Sequence, residues 1–274
     1  MHTVSVIIPT WNRAILIEKA IKSVLGQTIP VLEVLICDDG STDNTEKIVK
    51  SIGDERVKWV SGVRGGRPAI PRNCGIRASK GEWLAFLDSD DEWQPEKLEK
   101  QFSLLEELDC RAACTNAHNF VPGKGITGNF LRWESRKLSF YDLLPVNQVI
   151  CSSALLHKSL VDIVSGFPED ETLKGCEDYA LWLRVATQTN FAFVPEPLVT
   201  YQNDAANSVR SSLGEERIAR MKVFRNFADW AEGQGIPGMY VQKVKRQVME
   251  DYVRSKAECV IRPVKKIKRF FCGK

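Results

Sequence analysis

Over the first 120 residues, short apolar runs alternate with stretches in which apolar side chains recur at helical spacing. Parallel strands need a long crossover connection, which is usually a helix. The alternation therefore predicts an α/β fold with a mostly parallel open sheet flanked by helices. The predicted strands are Val4–Pro9, Leu32–Cys37, Val57–Val60 and Trp83–Leu87.

The rest of the chain is less regular. Residues 120–150 contain Pro122, Gly123, Gly125 and Gly128, so we expect an irregular segment there. Beyond it the pattern predicts a strand, a helix and two short strands, and then a helical end after residue 210 with a break at 233–238. These elements are Ser153–Leu156, Asp178–Gln188, Phe191–Val194 and Leu198–Tyr201.

Size and composition exclude several classes of protein. With 274 residues, 43% of them hydrophobic and 27% charged, the chain can bury a sizeable core. Its apolar runs are far shorter than the roughly 18 residues that span a bilayer, and no signal-peptide pattern precedes the first strand.

Eight scattered cysteines suggest reduced thiols in a cytoplasmic protein. Cys110, Cys114 and His118 have a spacing that suits metal ligands on a helix, but the segment favours a strand, where they would not converge.

Acidic side chains directly follow the fourth predicted strand. Asp88, Asp90 and Asp91, with Ser89 among them, come after the apolar run WLAFL. Ligands collect at the carboxyl ends of strands in open α/β sheets, and three carboxylates repel one another unless a cation lies among them. The run therefore favours a hard divalent ion, Mg²⁺ or Mn²⁺. Taken alone, it is equally typical of an acidic turn before a helix.

A second acidic segment, Asp38–Asp43, follows the second predicted strand. A carboxylate in this position can accept hydrogen bonds from a base or a ribose, although a turn with a helix cap explains the segment when it is taken by itself. Because two strands of one sheet both end in acidic segments, a ligand-binding role is favoured over a simple turn with a helix cap. Concentrated negative charge is costly without a compensating ligand or metal.

Two further segments are candidates for a binding or catalytic role. The basic, glycine-rich stretch 62–72 can steady phosphates or close over a donor, but it matches neither a dinucleotide-binding nor a P-loop pattern. Glu177 and Asp178 open the segment EDYALWLRV and point about 100° apart on a helix. We expect one of them to face a cleft as a base while the other caps or braces, with a solvated helix start as the alternative. Leu181 and Val185 are expected in the core.

Five motifs occur in a fixed order along the chain. They are VSVIIPTWNRAILIEKAIKSVLGQT, VLICDDGSTDNT, PRNCGI, KGEWLAFLDSDD and CEDYALWLR. Over residues 3 to about 205 the chain therefore resembles a family 2 glycosyltransferase of the GT-A fold. The resemblance implies a Rossmann-like GT-A domain over residues 1–210, with a nucleotide-sugar half at about 1–118 and an acceptor half at about 119–210. A helical extension over 211–274 would follow.

The resemblance also implies roles for individual positions. Asp90 is the implied ligand of Mn²⁺ or Mg²⁺, and Asp178 is the implied catalytic base. Trp11 stands where the family usually has Tyr or Phe. Asp204 stands where many members have a histidine near the metal, so it is a second candidate ligand, with a plain surface loop as the alternative. The implied donor contacts are Pro9, Thr10, Asn12, Asp39, Arg72, Asn73, Asp88 and Ser89.

The implied activity is inverting, metal-dependent transfer of a hexosyl or N-acetylhexosaminyl group from a nucleotide sugar, in the first instance a UDP-sugar, to an acceptor hydroxyl. The metal would stabilise the departing diphosphate while Asp178 takes the proton of the acceptor hydroxyl. A sugar nucleotidyltransferase is one alternative, but it needs a glycine-rich loop after the first strand, where this chain has PTWNRA. A catalytically silent, membrane-associated nucleotide-sugar-binding protein is the other.

Charge is distributed unevenly along the chain. Residues 241–274 have a net charge of +8 and residues 1–240 have one of −5, and the segment 259–274 contains no acidic side chain. Its apolar and basic residues can occupy opposite faces of a helix, which suits an anionic membrane surface. We therefore expect a peripheral protein on the inner face of the membrane that acts on a lipid-linked or growing surface glycan. A solvated basic end is the alternative, and no motif indicates nucleic acid. The expected membrane contacts are Lys265, Lys266, Ile267, Lys268, Arg269, Phe270 and Phe271.

Overall fold

The computed structural model describes residues 2–62, 64–133, 135–204 and 216–251. Its strands are β1 (Val4–Thr10), β2 (Glu33–Asp38), β3 (Val57–Ser61), β4 (Trp83–Phe86), β5 (Glu92–Trp93), β6 (Ala112–Val121), β7 (Gly125–Asn129), β8 (Lys137–Leu138), β9 (Leu155–His157) and β10 (Phe191–Gln202). Its helices are α1 (Ile17–Leu25), α2 (Thr45–Ser51), α3 (Ala69–Ala78), α4 (Lys97–Leu108), α5 (Phe140–Leu143), α6 (Lys158–Ile163), α7 (Glu177–Val185) and α8 (Glu216–Gly233). The chain is again helical over 238–251.

All ten strands of the described residues form one sheet. Its main path runs β3-β2-β1-β4-β9-β6-β10-β5, with β7 beside β6 and β8 beside β10. The pairings among β1, β2, β3 and β4, and the long pairing of β6 with β10, are parallel, whereas β9 is antiparallel to both of its neighbours. The strands β1, β2, β3, β4, β6 and β10 are thus parallel to one another, as predicted, and end at a common edge, whereas the short strands β5, β7, β8 and β9 pair antiparallel to their neighbours.

Helices cover both faces of the sheet, because the long strands alternate their apolar side chains between two cores. In β1, Val6 and Ile8 belong to the core that also contains α1 and α4 residues, while Ile7 belongs to the core with α7. On the Ile7 side, Gly75 allows α3 to lie close to the sheet, since a side chain there would collide with Ile7 and Cys37. The sheet is therefore buried on both sides.

The four strands predicted in the first 120 residues are confirmed, with shifts of one residue at their ends, and helices lie between them. The region 120–150 is more ordered than expected, because it contributes β7, β8 and α5. The two short strands predicted over 191–201 are one strand, β10, whose pairing with β6 shifts register around Pro197. An irregularity in register lets a single strand continue past a proline.

The helix α8 packs against α7 and belongs to the same core. Phe224 and Phe227 are buried in it, and the Arg184 guanidinium donates a 2.6 Å hydrogen bond to Asn226 Oδ1. Leu181 and Val185 of α7 are fully buried, as expected. Within the residues described, no helix has the length and apolar character needed to cross a membrane.

Candidate active site

A cleft of about 650 Å³ opens where β1, β2 and β4 end, and the first turn of α7 lines it as well. The loops that follow parallel strands meet at this edge of the sheet, so residues far apart in sequence become neighbours. Most of the predicted site residues line the cleft together: Pro9, Thr10, Asp39, Arg72, Asp88, Ser89, Asp90, Asp178 and Asp204.

Two predicted donor contacts do not line the cleft. Asn12 has a positive φ of 51° and fastens its loop to the loop after β2: its N–H donates to Ser41 Oγ at 2.9 Å, and its Oδ1 accepts from the Thr42 N–H at 2.8 Å. The Arg13 N–H adds a third bond to Thr45 Oγ1 at 2.8 Å. Asn12 therefore holds the loop that carries its neighbours Trp11 and Arg13 into the cleft.

Asn73 lies on α3 and is turned toward a different loop. Its amide donates to the Phe167 carbonyl and to Glu169 Oε1, both at 2.8 Å, and its Oδ1 accepts from the Phe167 N–H at 2.9 Å. These three bonds clamp the segment around Gly166. In this structure Asn73 is a structural clamp beside its cleft-lining neighbour Arg72.

Arg72 connects the two sides of the cleft. One guanidinium nitrogen lies 2.6 Å from Asp88 Oδ1, beyond the end of β4, and another lies 3.3 Å from Glu177 Oε1 on α7. The side chains of Arg72 and Glu177 are only 5% and 4% exposed, whereas that of Asp88 is 32% exposed. Burial raises the pKa of Glu177, and the charge of nearby Arg72 works against that rise. The Arg72 guanidinium thus holds together the carboxylates of Asp88 and Glu177, which would otherwise repel each other.

Asp90 carries a negative charge with little compensation. Among the described residues it forms an ion pair with Arg13, at 3.9 Å, where both side chains are about one-third exposed, and the charge of Arg72 also acts on it. Burial and the charge of Asp88 raise the pKa of Asp90. A carboxylate whose charge is disfavoured in this way gains from a cation that binds it.

Asp91 has a structural role behind the cleft. It is almost completely buried, accepts a hydrogen bond from the Ser152 hydroxyl, and accepts a 2.8 Å bond from the Gln202 N–H. Burial raises its pKa well above the usual value, and the charges of Asp90 and Asp88 add to the effect. The bond to Gln202 fixes the end of β10 near Asp90 and brings Asp204 into the same cleft.

Glu177 and Asp178 both line the cleft, although only one of them was expected to face it. They differ in their contacts as expected, because Glu177 braces Arg72 and also accepts a 2.6 Å bond from the Gly175 N–H. Asp178 Oδ2 accepts a 3.2 Å bond from the Asn147 amide. Both residues can line the cleft because they lie in the first turn of α7, where the cleft meets the helix end.

Some cleft residues were missed by the sequence reasoning. Arg13, Lys19, Cys151 and Lys174 line the cleft as well. Only Arg13 had a usable signal, because it directly follows the motif residues 9–12. Burial raises the pKa of the Cys151 thiol well above its usual value, so this side chain is neutral at pH 7.

Two other sets of residues singled out in the sequence do not contribute to the cleft in the described part of the chain. Cys110 precedes β6, while Cys114 and His118 lie on it, and the described residues contain no group of three or more His, Cys, Asp or Glu side chains arranged to hold a metal. Among the described residues, the cysteines at 37, 74, 110, 114, 151 and 176 form no disulfide. The predicted membrane contacts from Lys265 to Phe271 lie outside the described residues.

A comparison with protein-family models matches residues 5–162 to the model described as glycosyl transferase family 2. Among curated proteins, the chain is 31% identical over 229 residues to WfaP of Escherichia coli, a UDP-Glc:alpha-D-GlcNAc-diphosphoundecaprenol beta-1,3-glucosyltransferase. The alignment covers 82% of this chain and 87% of WfaP. WfgD of Escherichia coli, which has the same description, is 32% identical over 70% of this chain and 73% of its own length.

Among solved structures, the fold is similar to that of TarS residues 1–349 from S. aureus in complex with UDP-GlcNAc. The TM-score is 0.74 at 19% identity, over 91% of this chain and 72% of the TarS chain. At that identity the similarity supports the fold alone, and it confirms the predicted GT-A architecture.

Proposed function

The chain belongs to glycosyl transferase family 2, and from that premise we propose that it moves a sugar from a UDP-sugar to a hydroxyl of a lipid-linked glycan, with inversion and with help from a divalent metal. The observation that carries this proposal is the cleft itself. It brings carboxylates from two strand ends, Asp39 and Asp88, together with Asp178 from the distant helix α7.

The donor end of the cleft has polar groups suited to a nucleotide. Thr10 is 3% exposed, and its buried Oγ1 has no hydrogen-bond partner within the described part of the chain. A buried hydroxyl without a partner is costly, and a ligand that bonds to it would remove that cost. UDP is the proposed nucleotide because the descriptions of WfaP and WfgD name UDP-Glc and because TarS was crystallised with UDP-GlcNAc.

The carboxylates on this side of the cleft fit a metal that arrives with the nucleotide. Mg²⁺ typically uses one or two protein carboxylates and completes its shell with substrate phosphates and water. Asp90 offers hard oxygen ligands and is only weakly compensated by Arg13 at 3.9 Å, and Asp204 lines the same cleft. We propose Asp90 as the ligand of Mn²⁺ or Mg²⁺ and Asp204 as a second ligand. When bound, the ion would supply positive charge to the departing diphosphate.

Asp178 is the proposed base. Its carboxylate lies on α7, while Asp88 and Asp90 follow β4, so the proton acceptor and the diphosphate-binding groups belong to different elements around one cleft. Asp178 would take the proton of the acceptor hydroxyl as that oxygen attacks the anomeric carbon. A single displacement of this kind inverts the anomeric configuration. The Asn147 amide at 3.2 Å orients the carboxylate.

The proposed acceptor is a lipid-linked glycan, and the proposed location is the inner face of the membrane. The acceptor named for WfaP and WfgD is a diphosphoundecaprenol-linked GlcNAc. The basic, amphipathic segment 259–274 supports membrane contact on sequence grounds. The intact protein is expected to bind anionic liposomes at low salt, and failure to bind would contradict this part of the proposal.

A donor panel tests the proposed activity. Thermal shifts would be measured with UDP-sugars and with sugars on other nucleoside diphosphates, each with Mn²⁺ and with EDTA, and the active donor would then be assayed with GlcNAc-diphospholipid. We expect a UDP-sugar to stabilise the protein most, and to do so more in Mn²⁺. Lack of any metal-assisted stabilisation by a nucleoside diphosphate would contradict the proposal.

A further inference from the structure

Two basic side chains line the cleft on the side that carries Asp178. Arg67 belongs to the loop before α3, and Lys174 belongs to the segment that leads into α7. Lys174 is exposed, and no described residue forms a hydrogen bond or an ion pair with its ammonium group. A lysine that has no acidic partner can bind an anionic ligand without first breaking an ion pair.

The backbone fixes Lys174 near the proposed base. The Lys174 N–H donates to the Glu171 carbonyl at 3.3 Å, and the Gly175 N–H donates to Glu177 Oε2 at 2.6 Å. Gly175 has a φ of +85°, a left-handed conformation that favours glycine, so the chain turns directly after Lys174. Four residues span at most roughly 14 Å when fully extended, and the turn brings Lys174 closer than that to Asp178. Both side chains line the same cleft.

Arg67 reaches the same segment from the opposite wall. Its Nη1 lies 2.9 Å from Glu171 Oε1, and the side chains of Arg67 and Glu171 are 18% and 85% exposed. The exposure of Glu171 places this ion pair at the mouth of the cleft. Among the described residues, Glu171 is the hydrogen-bond partner of the guanidinium, through Nη1, which leaves the donors of Nη2 for a ligand.

The proposed acceptor brings an anion to this part of the cleft. In the acceptor named for WfaP and WfgD, one GlcNAc residue is joined to diphosphoundecaprenol and receives the new sugar. With the accepting hydroxyl of such a compound at Asp178, the diphosphate lies one sugar ring farther out, because the lipid must leave the cleft through its mouth. The donor diphosphate is proposed to lie elsewhere, next to Asp88 and Asp90. A second diphosphate therefore needs cations of its own.

We propose that Lys174 and Arg67 bind the diphosphate that joins the acceptor sugar to its lipid. This inference rests on the proposed function, because it names a subsite for the proposed acceptor. Glu171 competes with the diphosphate for Arg67, so its carboxylate weakens the subsite. The enzyme then selects acceptors by their charged linkage as well as by their sugar.

Two soluble acceptors with the same short alkyl chain test the subsite without a membrane. One is a GlcNAc-diphosphoalkyl compound, and the other is an uncharged alkyl glycoside of GlcNAc. Calorimetry measures both on the intact protein with UDP and Mn²⁺, and initial rates give kcat and KM. The wild type should bind the diphospho compound about tenfold more tightly than the glycoside, or more so. Lys174→Ala should remove most of that preference and raise KM about tenfold, while kcat and the affinity for UDP change less than twofold.

Three further variants sharpen the test. Lys174→Arg keeps the charge and should keep most of the preference. Arg67→Ala should reduce the preference as Lys174→Ala does, whereas Glu171→Gln should tighten binding of the diphospho compound about twofold, because Arg67 loses a competing carboxylate. Lys47→Ala is the matched control, because Lys47 is exposed on α2 and does not line the cleft.

The outcomes separate this inference from the proposed function. If the wild type neither binds nor glycosylates either acceptor with any donor of the panel, the proposed function is contradicted, and this inference with it. If the wild type uses an acceptor but shows no preference for the diphosphate, or if Lys174→Ala and Arg67→Ala both keep the full preference, only this inference is wrong. An equal loss of UDP affinity in Lys174→Ala would also overturn it, because Lys174 would then act on the donor diphosphate.

Discussion

The proposed donor edge of the cleft and its proposed acceptor side differ in the share of backbone contacts that hold their carboxylates. On the proposed donor edge, comprising Thr10, Asp39 and Asp88–Asp91, the carboxylates of Asp39 and Asp91 accept hydrogen bonds from backbone N–H groups of a distant loop and of β10, while Asp88 is paired with the Arg72 side chain. On the proposed acceptor side, comprising Asn147, Glu177 and Asp178, Glu177 is paired with the Arg72 side chain and Asp178 accepts a hydrogen bond from the Asn147 side chain. Backbone donors are held by the fold, whereas a side-chain partner can be removed by one substitution. Donor binding and chemistry should therefore be separable by mutation.

The largest expected effect is on turnover, from Asp178→Asn. The variant keeps the size and most polar contacts of the side chain but cannot accept the acceptor proton, so kcat should fall about 10³-fold. UDP binding in Mn²⁺ should change less than twofold, since the donor edge is untouched. Initial rates and calorimetry check the two halves of this prediction. Asp162→Asn, exposed and away from the cleft, should behave as wild type; undiminished turnover of Asp178→Asn would remove the residue from the role of base.

Arg72→Ala should destabilise both sides of the cleft, because the Arg72 guanidinium pairs with Asp88 on one side and with Glu177 on the other. Its removal leaves Glu177, with a side chain 4% exposed, without its cation, and the free energy of unfolding should fall by about 3 kcal/mol. Arg72→Lys should be intermediate, because an ammonium group cannot span two carboxylates as a guanidinium does. Urea unfolding measures both variants against Arg77→Lys as control. Equal stability of Arg72→Ala and the wild type would show that the bridge contributes nothing.

Asp90→Asn should change the affinity for UDP and leave the proposed acceptor side unaffected. The direction of the change in affinity should depend on whether Mn²⁺ is present. In Mn²⁺, loss of a charged ligand should weaken UDP binding roughly 10- to 100-fold, or about 1.4–2.8 kcal/mol. In EDTA, UDP binding should stay the same or tighten slightly, because one carboxylate near the diphosphate has lost its charge. Calorimetry under both conditions makes the comparison. An unchanged response to Mn²⁺ would argue against Asp90 as a ligand.

The smallest expected effect is a pH dependence of stability from Asp91. The folded-state pKa of Asp91 lies well above 3.8 because of its burial and the charges of Asp90 and Asp88. Its stabilising contribution is therefore complete below the unfolded-state pKa and is lost as pH rises through the folded-state pKa. Asp91→Asn lacks this titration, so the wild type should gain stability relative to the variant as pH is lowered from 7 to 4. Urea unfolding in EDTA at several pH values measures the difference, and a pH-independent difference would contradict the assignment.

The sequence predicts the donor edge better than the acceptor side, for a physical reason. Strands β2 and β4 are buried along their whole length and are followed by acidic loops, so both the strand and its acidic end are visible in one local pattern. The bridge from Arg72 to Glu177 joins residues 105 positions apart, and no local pattern records it. The motif order carried the family resemblance but could not show that Asn73 is turned toward Phe167.

The region 120–150 illustrates a second limit. Its glycines and prolines suggest an irregular loop, yet β7 and β8 form there because β6 and β10 offer them strand edges to pair with. Tertiary pairing overrides weak local propensity in such segments. This region borders the cleft through Phe120 and Pro122, so the shape of that part of the cleft depends on pairings that the local sequence does not record.

The most direct test of the account is the anomeric configuration of the product. Transfer from an α-linked UDP-sugar would be followed by proton NMR of the new glycosidic bond, with the protein, Mn²⁺ and the lipid-linked acceptor. If Asp178 serves as the base for one in-line displacement at the donor edge, the product must be the β-anomer from the first turnover. An α-linked product would contradict the account, because retention requires a different use of these carboxylates.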